Sequence, residues 1–597
     1  MKYLVKNKNY EYISDDELLK ILLKQRGVEN PDKLLKTRKS CLHDAKLFNN
    51  IEKGIQIFDK HIKNKSNICI IVDSDCDGYC SASLMYLFIK GLDAGNEVKY
   101  IFHDGKQHGI TERISNKLNE IEYDLLIVPD AGSNDRFKSS LINAKGKDIL
   151  ILDHHEMDEI NPYATVINCQ DGVYPNRTLS GTGVTFKFCE LYEKEILSSN
   201  QISHSLLDLV AVGNIGDMMD MRNLETRYLT LKGIEILNSG YCNTFFKAVH
   251  EKNKARLGNL NIMKIGWNIS PLINAVTRVG TQDEKEDLFK ALINSNETKE
   301  YQPRRKKGET GKPPIEIQDI QTFMARVVTN IKARQDKMVK KYIDELELKV
   351  SDEDKIIIIE ANDLEQTFTG LIANKLASTY KRPSIVLRDK SNSTKGGSGR
   401  NYKMFEIDNL REFLLDTDEF IHVSGHNNSF GFEIQNDNIK EMKNKVSEKL
   451  KEVKIEDVYH VDYAIPMGRL REKHIKQVGK MADMWGNSID EPLFVITDIY
   501  VEQEDIKIIG DKQTLLKITK QVGDSLINFV KISSKEETLN TYNTLLGRNE
   551  RGLSKKKKGK VGVEIIGKFK INKYEDREYP QIEIVDFNLL KERKIKF

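Results

Sequence analysis

Between residues 66 and 240 the chain alternates short aliphatic runs with amphipathic stretches: "NICIIVD" (67–73), "EVKYIFHD" (97–104), "YDLLIVPDAG" (123–132), "DILILDHH" (148–155) and "ATVINC" (164–169). Runs that are apolar on both faces suit parallel strands covered on both sides. Their alternation with helical patterns predicts an α/β unit with a mostly parallel sheet. Four of the five runs end in Asp or His, and the carboxyl ends of such strands form the ligand crevice of an open α/β sheet.

The remaining pattern predicts four further segments. Residues 1–65 read as a helical preface, with "DDELLKILLKQRG" carrying an acidic start and a Gly stop. After the 66–300 domain, "EYQPRRKKGETGKPPIE" (300–316) reads as a basic loop, and "IQDIQTFMARVVTNIKARQDKMVKKYIDELE" (317–347) as one long helix without Gly or Pro; together they form a 301–345 connector between two lobes. A second, smaller α/β pattern covers 346–455, with "KIIIIEA", "PSIVLRD" and a glycine-rich "KGGSGRNYK". From 456 to 597, β-prone segments separated by turns suggest a small barrel.

A chain of 597 residues needs about three or four cores. With 39% hydrophobic and 31% charged residues and a net charge of +3, any nucleic-acid binding must come from local patches and not from a global field. Seven cysteines, without a CxxC pair, read as small buried thiols in a reducing compartment. No apolar run approaches the roughly 18 residues of a membrane span, and the first residues lack a signal-peptide core. A cytoplasmic protein is expected.

"ICIIVDSDCDGYC" (68–80) then poses a problem, because it sets Asp73, Asp75 and Asp77 at the end of a buried strand. Unneutralised, such a cluster would raise at least one carboxyl pKa. Asp130 in "VPDAGSND", Asp153, His154 and His155 in "LDHHE", and Asp217 in "AVGNIGDMMD" extend it. A lone strand-end Asp is usually a turn or helix cap, but four such motifs in succession point to a shared site. Carboxylates with imidazole and no thiolate are the ligand set of Mn²⁺ or Mg²⁺. Two such ions about 3.5 to 4 Å apart would neutralise the cluster and make hydroxide available. "GGSGR" (396–400), read alone, is a glycine-lined turn whose N–H groups can approach a phosphate while Arg400 supplies a fork of donors.

"VDSDCDGYCSAS", "VPDAGSND", "LDHHEMD" and "GNIGDMMD" resemble the four motifs of the DHH phosphoesterases, and the chain from about residue 50 to 597 resembles their RecJ branch of single-strand exonucleases. "YPNRTLSGTGVTFKF" (174–188), "LINAVTRVG" (272–280), "GGSGR", "SGHNNSFGFEI" (424–434) and "EIIGKFKINKYEDREYPQIEIVDF" (564–587) are similar to further segments of that branch. The resemblance implies a two-lobed enzyme, a DHH domain plus a DHH-associated domain joined by a long helix, with a C-terminal OB-fold. It implies two Mn²⁺ or Mg²⁺ ions held by Asp73, Asp75, Asp77, Asp130, His154 and Asp217, with Asp130 as the bridge. Asp153 would orient a histidine, and His155 would face the scissile phosphate. Asn274, Arg278, Gly397, Ser398, Gly399, Arg400 and His426 would contact substrate.

The implied activity is 5′ to 3′ hydrolysis of single-stranded DNA to 5′ mononucleotides in repair, recombination or replication. The chain would act as a monomer, with a single-strand-binding protein or helicase as partner. The alternatives are an oligoribonuclease or cyclic-dinucleotide phosphodiesterase of the same family, or a non-catalytic scaffold in replication. This sequence departs from the family in "FHDGKQHGI" (102–110), where an Arg and a Gly-Tyr-Gly are usual, so His103, Lys106 and His108 are expected to take over a contact. Ser424, Ser429 and Phe430 also replace family residues. The basic runs at 304–307 and 555–558, with Tyr574 and Tyr579, are candidate single-strand contacts.

Overall fold

The computed structural model describes residues 2–7, 9–14, 17–105, 107–303, 313–351, 353–403, 405–453, 458–546, 560–574 and 577–590, with the side chains of Arg256, His426 and Tyr574 also left out. Lys106 and the basic runs 304–307 and 555–558 therefore lie outside the described residues.

The chain opens as a strand, Lys2–Asn7 (β1), where the sequence suggested only a helical preface; helices follow at Leu18–Lys24, Pro31–Leu35 and Ile51–Lys63. β1 is mostly exposed and has no apolar period of its own. Its conformation is supplied by a distant partner strand. The five aliphatic runs all form strands: Ile68–Val72 (β2), Val98–Phe102 (β3), Leu125–Pro129 (β4), Asp148–Asp153 (β5) and Thr165–Asn168 (β6). They build a parallel sheet in the order β3-β2-β4-β5-β6. Alternate residues explain why each run is apolar throughout. Ile68, Ile70, Val72, Leu125, Ile127, Leu150 and Leu152 face one core, and Cys69, Ile71, Leu126, Val128, Ile149 and Ile151 face another.

The expected loop at 300–316 joins the two strands of a hairpin, Thr298–Tyr301 (β7) against Glu316–Asp319 (β8), with residues 304–312 outside the described residues. The long helix follows at Ile320–Leu346, capped by the Asp319 side chain on Thr322 N. It leads to a second sheet of Ile357–Glu360 (β9), Ser384–Asp389 (β10), Thr394–Arg400 (β11), Phe420–His426 (β12) and Ser429–Gln435 (β13), ordered β12-β13-β11-β10-β9. This lobe has its own cores.

The last part comprises Val458–Pro466 (β14), Phe494–Val501 (β15), Ile506–Ile509 (β16), Leu515–Val522 (β17), Ser525–Ile532 (β18), Val561–Tyr574 (β19) and Arg577–Leu589 (β20). With β1 at its edge it forms an eight-stranded sheet, β1-β14-β15-β19-β20-β18-β17-β16, in which Lys2 lies opposite Val458. The largest apolar cluster runs without a break from Leu22, Phe88 and Phe188 of the first lobe into Trp485, Phe494 and Phe569 of the last part. Among the described residues, no helix is long and apolar enough to cross a membrane.

Candidate metal centre and interlobe arginines

Each predicted ligand but Asp217 stands where a strand gives way to a helix or loop, and Asp217 stands at the end of the Leu207–Gly216 helix. β2 ends at Val72, and the turn that follows is capped by Asp75, whose Oδ1 accepts from Gly78 N at 3.0 Å at the start of the Cys76–Gly91 helix. Asp77, the second residue of that helix, is buried. Its Oδ2 accepts from Gly181 N (2.6 Å) and its Oδ1 from Thr182 N (3.2 Å) and Thr182 Oγ1 (2.5 Å), all at the N-terminus of the Gly181–Leu197 helix. Asp130 follows β4 in a left-handed conformation, φ 74°. A Cβ on Gly181 would sit 2.4 Å from Asp130 Oδ1, so glycine is required there.

The side chains converge. His154 Nε2 lies 3.2 Å from Asp130 Oδ1, 3.6 Å from Asp217 Oδ2 and 3.9 Å from Asp77 Oδ2. Among the described residues, three groups offer ligand atoms within 4.8 Å of one another: Asp130 with His154 and His155; Asp77 with His154 and Asp217; and Asp73 with Asp75 and His108. His108, raised from the sequence only as a replacement for a missing arginine contact, thus joins the cluster.

The electrostatics show what the cluster lacks. Burial, and then Asp77, Asp75 and Asp73, push the Asp130 carboxyl well above the usual carboxylate range; burial with Asp77 and Asp75 does the same to Asp217. Asp130 Oδ1 is buried without a hydrogen-bond partner. Burial and the neighbouring His155 lower the His154 pKa, leaving a neutral imidazole able to ligate. Unneutralised oxygens beside a neutral imidazole, with no thiolate, fit hard or borderline divalent cations.

Asp73 and Asp153 differ, because the chain already satisfies them. Burial would raise Asp73, but His108 and His103 hold it below the usual range. Its Oδ2 meets His108 Nδ1 at 2.5 Å and its Oδ1 accepts from Gly109 N at 3.1 Å. Ser74 and Asp135 fasten the same 103–110 loop, through Gln107 and Ile110 N. Asp153 accepts from Ser133 N, His154 N and His155 N, and meets His155 Nδ1 at 2.9 Å. It therefore orients His155. Burial opposes a charge on His155, yet the Asp153 hydrogen bond and charge outweigh it and push the pKa up to about 10.

The second lobe corrects the reading of "GGSGR". It is not a turn but β11, a central strand paired to β10 on one side and β13 on the other. Its glycines serve packing. A Cβ on Gly397 would lie 2.4 Å from the Phe432 ring, and one on Gly399 2.4 Å from the Phe430 ring. The backbone groups of Gly397 and Gly399 belong to the sheet, so they cannot form a phosphate loop. Ser398 and Arg400 point to the other face, across Gly370 of the Gln366–Tyr380 helix, where a Cβ would sit 2.6 Å from Arg400 Nη2. Ser398 Oγ meets Thr369 Oγ1 at 2.9 Å.

Arg400 meets Arg278, which comes from the last turn of the Ser270–Val279 helix in the first lobe. Burial and then Arg278 push Arg400 down to about 10, and burial lowers Arg278, offset by nearby Asp75. Arg400 Nη1 donates to Gly399 O and Phe430 O, which neutralise nothing. Asn274 is not turned to this cleft by its oxygen, which accepts from Cys76 N at 3.1 Å and holds the turn after Asp75. His426 is on β12, opposite Ser429, with its side chain outside the description. Tyr579 is on β20 and 37% exposed.

A sheet whose carboxyl ends carry an aspartate and histidine cluster, facing a second lobe across a long helix, defines a DHH-type phosphoesterase architecture. The DHH family N-terminal domain matches residues 67–214, and the RecJ OB domain matches residues 461–586. The chain belongs to the DHH family, in its RecJ branch. It is 33% identical, over 98% of its own length and 99% of the relative's, to the SPbeta prophage-derived YorK of Bacillus subtilis, named as a candidate single-strand DNA-specific exonuclease. It is 24% identical to the single-stranded-DNA-specific exonuclease RecJ of the same organism, over 95% of this chain and 67% of that one. Among solved structures, RecJ of Thermus thermophilus in complex with Mn²⁺ superposes with a TM-score of 0.70 at 15% identity, covering 99% of this chain and 80% of that one.

Proposed function

We propose that this chain is a metal-dependent exonuclease that cuts single-stranded DNA from its 5′ end and releases 5′ mononucleotides. One observation carries the reading: a cluster of carboxylates short of positive charge, Asp130 and Asp217 foremost, lies beside a pair of half-buried arginines, Arg278 and Arg400, of which Arg278 is partly offset by Asp75. A divalent cation is what the first lacks, and a phosphate is what the second lacks. The exonuclease names borne by the RecJ and YorK relatives support the same substrate.

Asp130, His154, Asp77 and Asp217, with Asp75, Asp73 and His108 beside them, would hold two Mn²⁺ or Mg²⁺ ions. Bound there, the ions would supply hydroxide at neutral pH and offset charge developing on the phosphate oxygens. Asp153 accepts from Nδ1 of His155 and keeps the ring charged, so the other ring nitrogen also carries a proton, which it presents to a nonbridging oxygen. Arg278 and Arg400 grip a neighbouring phosphate from opposite lobes, which sets the distance between the held phosphate and the cut. Gly397, Ser398 and Gly399 act by holding Arg400 in a flat strand and not by touching phosphate themselves. The enzyme works as a monomer in the cytoplasm, on strands presented by a single-strand-binding protein or a helicase.

The test uses single strands of DNA and RNA labelled at the 5′ or 3′ end, incubated with Mn²⁺ or Mg²⁺. The 5′ label should appear at once as mononucleotide, while 3′-labelled DNA shortens gradually and duplex persists. Internal fragments from the start, or equal attack on RNA, would overturn the reading.

A further inference from the structure

The segment from Trp485 to Ile489, between β14 and β15, projects into the first lobe. Gly486 and Ile489 exchange both backbone hydrogen bonds, at 2.9 and 3.0 Å. Asn487 and Ser488 are left as the two central residues of the turn, at φ 29° and 70°, after Gly486 at 127°. Two successive positive φ values make a tight turn of the kind that Asn accepts readily. Its base is fixed: Trp485 and Ile489 are buried, and the Arg26 guanidinium lies 5.9 Å over the Trp485 ring and donates to Asp490 O.

The tip meets Ile215–Met221, the segment that carries Asp217. Asn487 Nδ2 donates to Ile215 O at 3.4 Å, and Asn487 O accepts from Met221 N at 3.3 Å. The two bonds straddle Asp217. That residue stands where the Leu207–Gly216 helix stops, and the next, Met218, is left-handed (φ 59°) and 64% exposed. Asp217 N, Met218 N and Met219 N donate back to Gly213 O, Ile215 O and Asn214 O and close the helix, and Asn487 adds a hold on this segment from outside it. Asp217 Oδ2 must stay beside His154, 3.6 Å away.

We propose that Asn487 is a positioning residue for Asp217: the last domain reaches across and pins the backbone on both sides of a metal ligand. This rests on the metal-centre reading above. It gives the C-terminal domain a task in the metal centre itself, in addition to any hold on the strand. In metal sites, partners one step behind the ligands set affinity, and losing one costs about 10- to 100-fold.

The experiment uses the full chain with Asn487→Gly, which keeps the positive φ and the carbonyl and deletes only the Nδ2 donor. Calorimetry with Mn²⁺ alone should show affinity reduced about tenfold, with an unchanged melting temperature in chelator. Turnover on single-stranded DNA should fall at limiting Mn²⁺ and return at saturating Mn²⁺, with KM for the strand unmoved. Ser488→Gly, which keeps the turn and its contacts, should bind Mn²⁺ as the parent does. Parent-like Mn²⁺ affinity in Asn487→Gly, while Asp217→Asn is weakened, overturns the inference and spares the metal centre. So does a melting temperature in chelator that falls together with the affinity, or a deficit that Mn²⁺ does not restore. A parent chain that binds no Mn²⁺ overturns both.

Discussion

Asp130 combines a positive φ, complete burial and a carboxylate oxygen without a donor. In the metal-free protein that combination opposes folding. Its carboxyl pKa is raised, so the folded chain holds the proton more tightly than the unfolded chain does, and the cost grows as pH rises from the ordinary value near 3.9 to the raised one. Asp130→Asn should therefore melt higher than the parent in chelator at neutral pH, with a gap that narrows toward pH 4. In Mn²⁺ it should keep less than about a tenth of parental turnover. A variant that is less stable in chelator, or fully active, would remove Asp130 from the centre. His155 shifts upward for a different reason, namely its bond to Asp153. Its stabilising contribution is present below the ordinary value near 6.5 and lost as pH rises through about 10. Nitrogen NMR of the metal-free protein should find both ring nitrogens protonated through pH 8. A midpoint near 6.5 would mean that Asp153 does not hold the charge.

At the scale of elements, the parallel sheet was legible because each strand is buried on both faces and so reads as a continuous apolar run. The candidate ligands other than Asp217, which ends a helix, were legible because they stand directly after those runs. β11 was not. Four residues of "GGSGR" read locally as a turn, and only the Phe430 and Phe432 rings of the neighbouring strand explain why glycine is needed within a strand. β1 and the β7–β8 stem were hidden for a related reason, since their partners, and not their own periodicity, make them strands. Asn274 and His108 show the same limit at the site: the sequence marks them as polar, but only tertiary approach decides what each one touches. The glycine argument is testable. Gly397→Ala should cost about 1 to 3 kcal/mol in chemical denaturation, since its Cβ would sit 2.3 Å from Val386 O. Gly431→Ala, whose nearest neighbour would be Gly397 O at 3.7 Å, should be nearly neutral. Equal costs would mean that strand propensity, not ring packing, decides.

At the scale of the molecule, the first lobe and the last domain should unfold as one cooperative body. They share a core, and Arg26 forms a pair with Asp462 at 2.9 Å in which the side chains are 7% and 1% exposed. Asp462 also accepts from Leu493 N. Asp462→Ala leaves Arg26 buried without its charge partner, and should lower stability by about 3 to 5 kcal/mol in a single denaturant transition. If the transition instead splits, with the first lobe unaffected, the two regions unfold independently. The Ile320–Leu346 helix sets the second lobe apart, because that lobe closes its own cores.

β1 leaves the ribosome long before β14, the strand it pairs with. Lys2 waits for Val458, so about 450 residues must be synthesised before the edge strand finds its place. At ~5 to 20 residues per second that is roughly 20 to 90 seconds during which an exposed "KYLVKN" has no partner. The catalytic lobe can assemble in that interval while its N-terminus stays open to proteases, to chaperones and to pairing with other nascent chains. A bulky fusion ahead of β1 would therefore harm the yield of the finished protein more than its activity, because it loads a strand whose partner is made long after it.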